Sequence, residues 1–190
     1  KAWSGRKSSF LAPILHFMKQ TFTLLFCMLV YLGATAQEFD AETFKTDIVS
    51  LYEVGKSSFK TLKEGESFET VNGARHYKST MQLHGAKSVY ISEDEEKSHT
   101  YIAHFTFKNV RNPQEKMTEF VNLIAEATAE HGFAVGRGTD IKYLGYQKQT
   151  IEFPADNIDD MGKHPSFTVG MIADGNPMSF EIQVSEILWK

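Results

Sequence analysis

The stretch HYKSTMQLHGAKSVYISEDEEKSHTYIAHFTFK, residues 76–108, decides the fold. Tyr77, Ser79, Met81 and Leu83 alternate with Lys78, Thr80 and Gln82, the period of a strand with one wet face. His84-Gly85 then reads as a two-residue hairpin turn, with glycine supplying a positive φ. A second strand is expected over 86–92, through Val89, Tyr90 and Ile91. Glu93-Asp94-Glu95-Glu96-Lys97-Ser98 reads as a charged, solvated turn. A third strand over 99–108 is rich in β-branched and aromatic residues: Thr100, Tyr101, Ile102, Phe105, Thr106 and Phe107. The stretch predicts an antiparallel meander.

Working outward, each side of the meander carries a helical pattern. On the N-terminal side a helix is expected over 41–63, with allowance for a break near Gly55. Asp40 is placed to cap it, and Phe39 with Phe44 has the spacing of a hydrophobic staple. Phe44, Ile48, Leu51, Tyr52, Gly55, Phe59 and Leu62 form one stripe. Gly55 falls on that stripe, where a missing side chain lets another part of the chain approach, and Gly65 is the expected stop.

On the C-terminal side Asn112, Pro113 and Glu115 mark a helix start, and Met117, Phe120, Val121, Ile124 and Thr128 its buried face. Gly132 ends this helix. Strands are expected at 141–146, 149–153, 166–173 and 178–188, with an acidic loop over 154–165. The order is a crude doubling of one helix-plus-meander unit. The predicted class is α+β in two layers: an antiparallel sheet of about six strands with two helices on one face, in the order α-β-β-β-α-β-β-β.

Upstream, residues 18–36, MKQTFTLLFCMLVYLGATA, have the three parts of a secretory signal peptide. Lys19 follows Met18, an apolar run spans 22–32, and Ala34-Thr35-Ala36 supplies small residues for cleavage. The run is shorter than the ~18 residues of a spanning helix. Cys27 sits inside it after Phe26, unlike the cysteine of a lipid anchor. Residues 1–17 read as untranslated upstream sequence or an extended n-region. Residues 37–190 then form a single α+β domain, exported to the periplasm or beyond the cell in the bacterial manner. This segment holds all 24 acidic residues but only 16 of the 20 basic ones, so its net charge is −8. Scattered, outnumbered cations do not suit a phosphate backbone or an anionic membrane. No nucleic-acid partner and no membrane contact after cleavage are expected.

The chemistry-bearing motifs fail on inspection. Gly55-Lys56-Ser57 resembles the end of a phosphate-binding loop, but Ser50 stands where the first glycine belongs and the triplet lies in a helical pattern. Gly132, Gly136 and Gly138 have the wrong spacing for a dinucleotide loop, which leaves Arg137 as an exposed anion contact. The acidic loop fails the calcium pattern at Met161 and Phe167. His76, His84, His99 and His104 include no zinc-binding helix pair, although His84 and His104 would approach each other in one strand register. No G-x-S-x-G elbow is present, and Glu93 to Glu96 read as a charged turn rather than a catalytic pair. No cofactor or metal site is assigned.

The aromatic residues remain. Tyr143 and Tyr146 have opposite parity, so one of them should face away from the helices, and an uncovered, tyrosine-bearing sheet face makes a binding surface. The expectation is an exported binding or interaction domain for a protein, peptide or small apolar ligand, with Tyr143, Tyr146, Arg137, His84 and His104 as candidate contacts. The alternatives are an exported hydrolase built on His84 or His104 beside a carboxylate, and a structural or assembly subunit.

Overall fold

The computed structural model describes residues 39–131, 146–151, 163–172 and 177–187, with backbone alone for 146–151 and Ile172. All of them fall within one compact unit, Phe39–Lys190. The elements are α1 (Ala41–Gly55), a 3-10 turn (Phe59–Leu62), β1 (Lys63–Val71), β2 (Ala74–Ser79), β3 (Ser88–Glu93), β4 (His99–Phe107), α2 (Pro113–Thr128), a 3-10 turn (Ala129–His131), β5 (Tyr146–Ile151), β6 (Ser166–Ile172) and β7 (Met178–Ser185). The strands form one antiparallel sheet in the order β1-β2-β3-β4-β7-β6-β5. The two meanders therefore meet last strand to last strand, with β4 against β7, so each half is a helix followed by a meander running inward to the centre. The α+β class and the layering follow the sequence reading. No helix of the described residues is long and apolar enough to cross a membrane.

Both helices lie on one face and bury their apolar stripes there. α1 contributes Phe44, Ile48, Leu51, Tyr52 and Gly55, and α2 contributes Met117, Phe120, Val121, Ile124 and Thr128. Phe120 is the hub: its ring lies 5.5 Å from Phe44, 4.9 Å from Phe105 of β4 and 6.0 Å from Phe180 of β7. The caps form as expected. Asp40 accepts from the Glu42 amide and Asn112 from the Glu115 amide, while Phe39 and Phe44 close the staple at 5.4 Å.

Three expectations need correction. First, α1 ends at Gly55 rather than near residue 63. A Cβ at Gly55 would stand 2.9 Å from the Pro165 Cβ and 3.0 Å from the Phe59 ring, so the chain packs where a side chain would be. Ser58 then caps a separate 3-10 turn by accepting from the Lys60 amide. Secondly, residues 63–71 are a seventh strand. Asn72 (φ 51°) and Gly73 (φ 85°) form the hairpin turn that joins β1 to β2. The β1–β2 register shifts between Glu64 and Glu69, and Gly65 (φ 69°) lies in that irregularity instead of stopping a helix.

Thirdly, the His84-Gly85 turn is present, with the Ala86 amide donating to the Leu83 carbonyl at 2.9 Å, but it is not a tight hairpin. β2 stops at Ser79 and β3 begins at Ser88, so the turn tips an arch that packs on the start of α1. In the second half, β5 runs through the residues left between two expected strands. Residues 154–162 of the acidic loop expected over 154–165, and 174–176 of the turn expected over 174–177, lie outside the described residues.

Replacing Gly55 with alanine tests the close approach. The helix gains up to ~1 kcal/mol of propensity, but overpacking against a proline ring costs about 1–3 kcal/mol. The expected net loss is about 1 kcal/mol, read as a lower urea midpoint with an unchanged slope.

Candidate functional site

Alternation along β2, β3, β4 and β7 sends one set of side chains to the helices and the other away from them. Tyr77, Ile91, Tyr101, Ala103, Phe105, Phe180 and Ile182 are core. The intervening positions, among them His76, Lys78, Tyr90, His104 and Glu181, occupy the opposite face, where no described helix lies. The irregularity in β1 adds Phe68 to that face.

An aromatic row crosses four strands there, β1 to β4. Phe68 meets His76 at 6.2 Å and meets Tyr90 edge-on at 6.3 Å. Tyr90 lies 4.6 Å from His76 and stacks on His104 at 5.5 Å. A groove of about 550 Å³ runs along the row, lined by Phe68, Val71, His76, Lys78, Tyr90 and His104. Phe68 is 53% and Val71 40% exposed, high for such side chains beside a filled core. A carboxylate adjoins each histidine: Glu69 lies 3.5 Å from His76 Nδ1, and Glu181 lies 3.6 Å from His104 Nδ1.

Glu181, His104 and Tyr90 stand in line, with His104 Nε2 3.4 Å from the Tyr90 hydroxyl. Both steps exceed the ~3.2 Å reach expected for proton transfer. Burial, and then the charges of Glu181 and Glu69, push the Tyr90 pKa up, so its proton is held more firmly than usual. The row is better arranged for stacking and hydrogen bonding than for activating a nucleophile.

The other sequence candidates go elsewhere. His84 is on the helix side, where its amide donates to Asp47 at 2.8 Å and its Nε2 accepts from the Asp40 amide at 3.0 Å. It clamps the arch to α1 and does not meet His104, which stands opposite Ser88 in the β3–β4 register. Tyr146 opposes Ile172 at the start of β5, with only its backbone described. Tyr143 and Arg137 lie outside the described residues. Among those residues, no group of three or more His, Cys, Asp or Glu is placed to hold a metal.

Glu93 corrects the reading of a solvated turn. It is 5% exposed, forms ion pairs with Lys63 and Arg75, and is hydrogen-bonded to His99. His99, also 5% exposed, lies between two carboxylates: Nε2 is 3.2 Å from Glu93 and Nδ1 is 2.9 Å from Glu186. Glu186 also accepts from the Phe59 and His99 amides. This His–carboxylate cluster has the groups of an acid–base site but is enclosed and fully partnered, so it holds the fold together. The turn itself begins one residue later, as Lys97 (φ 68°) and the Lys97 amide bond to Asp94 show.

The residues that the sequence reading passed over as a site are Phe68, His76, Tyr90 and Glu181. Asn72-Gly73 was the available signal, since it is a strong hairpin dipeptide that places β1 beside β2. No protein-family model matches the chain, and neither a curated protein nor a solved structure matches it.

The Glu93 cluster gives a pH prediction with a definite sign. Burial raises the Glu93 pKa, but the Lys63 hydrogen bond and charge, the Arg75 charge and the His99 hydrogen bond outweigh it and bring it from 4.5 to about 2. A depressed carboxylate stabilises the fold above its unfolded pKa and loses that contribution as pH falls through the folded one. Stability should therefore fall between about pH 4.5 and pH 2. Glu93→Gln should lose about 3 kcal/mol at neutral pH, and its denaturation midpoint should change less than that of the parent over the acid range.

Proposed function

We propose that the protein is an exported binding domain whose ligand sits in the groove along Phe68, His76, Tyr90 and His104. The observation that carries this reading is the aromatic row on a sheet face that no described helix covers. Rings at stacking distance, flanked by carboxylates and a lysine, supply apolar contact area with a few orienting polar groups, the composition of a ligand site. An exposed Phe68 and Val71 at the groove edge fit a surface that is covered when a partner binds. The export proposal rests on the sequence of residues 18–36.

A second reading, a hydrolase, draws on the Glu181–His104–Tyr90 line. The long steps and the raised Tyr90 pKa weigh against it. The two readings part on two variants. In titrations with N-acetyl-phenylalanine amide and indole followed by amide NMR, shifts should cluster on Phe68, His76, Tyr90 and His104. Tyr90→Ala should weaken binding at least about tenfold, as loss of a stacked anchor does, with little change in unfolding midpoint. A hydrolase would instead turn over nitrophenyl esters and lose that turnover in His104→Ala. Shifts scattered away from the groove would end the binding reading.

Export has its own check. In a secreting bacterial host, intact mass of the protein recovered outside the cytoplasm should correspond to a chain beginning at Gln37. A chain that retains residues 18–36 in the cytoplasm would overturn the proposal.

A further inference from the structure

We infer that the edge of β1 is a docking strand for a basic, extended peptide, which pairs with the β1 backbone and lays an apolar side chain into the neighbouring groove. This rests on the binding reading of that groove and names its occupant.

Among the described strands β1 pairs only with β2, so its other edge offers main-chain donors and acceptors to a further strand. The last part of β1 is regular: Glu69, Thr70 and Val71 pair in register with His76, Arg75 and Ala74. Phe68 and Val71, two large exposed apolar residues, both lie on this strand and both line the groove. Side chains of a strand alternate in direction, so an added strand would send every second residue toward that groove. This is how sheet-edge recognition combines main-chain affinity with side-chain selectivity.

Charge selects the partner. Lys63 is drawn inward to Glu93, which leaves Glu64, Glu66 and Glu69 as the exposed charges of β1. Lys78 stands opposite Glu64 across the pairing, and the three glutamates outnumber it. A second copy of this chain would bring the same three glutamates, so the edge repels itself, a usual device against edge-to-edge aggregation. A strand carrying lysine or arginine meets no such penalty, and discrimination of this kind needs the repulsive element as much as the attractive one.

The test uses the full chain and a fluorescein-labelled octapeptide of alternating lysine and valine with one central phenylalanine. Binding should saturate, weaken as salt rises, and fall about tenfold or more when glutamate replaces the lysines or when Glu64, Glu66 and Glu69 are all changed to lysine. A peptide N-methylated along one edge should also lose binding, because it cannot complete the ladder. Equal binding of the N-methylated peptide would overturn strand pairing while leaving the groove as a side-chain site. Failure of the lysine peptide to bind, with indole still shifting Tyr90, would overturn the peptide proposal and spare the binding reading. Loss of both would remove the two together.

Discussion

The buried contact between His99 and its two carboxylates is the constraint on which the rest of the sheet depends. Glu93 closes β3, His99 opens β4 and Glu186 follows β7, so one imidazole joins three strand ends. The same cluster reaches the turn before β1, through the Phe59 amide on Glu186 and through Lys63 on Glu93. Burying these charges is costly, and the cost is offset only because each carboxylate has several partners. Removing one partner strands the others, which makes the cluster a stricter specifier of strand ends than an apolar contact of similar size.

That cluster also reaches the candidate site, although it lies on the other face. Lys63 begins β1, and its inward pairing sets where β1 enters the sheet. Five residues later the strand irregularity adds Phe68 to the helix-free face, beside His76 and Tyr90. If Lys63 were released, the strand would lose the anchor that places Phe68. The groove is thus built from one face and held from the other.

The helices and the inner strands were legible because their apolar periodicity is strong and their caps have specific chemistry. Residues 63–71 were not, since their sequence is mostly polar, its Phe68 and Val71 are exposed, and it has no alternation to read. Only the Asn72-Gly73 dipeptide marked the hairpin. Glu93 was misread for a related reason. In a run of like charges nothing local distinguishes the one residue whose partners, Lys63, Arg75 and His99, come from elsewhere in the chain. A break near Gly55 was legible from the glycine itself, but the contact that fixes it, with Pro165 more than a hundred residues away, was not. What local pattern can carry was read, and what long-range packing decides was not.

The histidines show how narrowly the site is set. His76 and His104 occupy the helix-free face, His99 the core and His84 the arch, with the same side chain in three different settings. The five residues between Glu93 and His99 fix the β3–β4 register. That register pairs Tyr90 with Ile102 and leaves His104 diagonal to it, at stacking distance. A slip of one residue would exchange the faces, sending His104 to the helices and His99 to solvent. It would dissolve both the aromatic row and the buried cluster. The turn between Glu93 and His99 is therefore the element that decides whether the aromatic row forms.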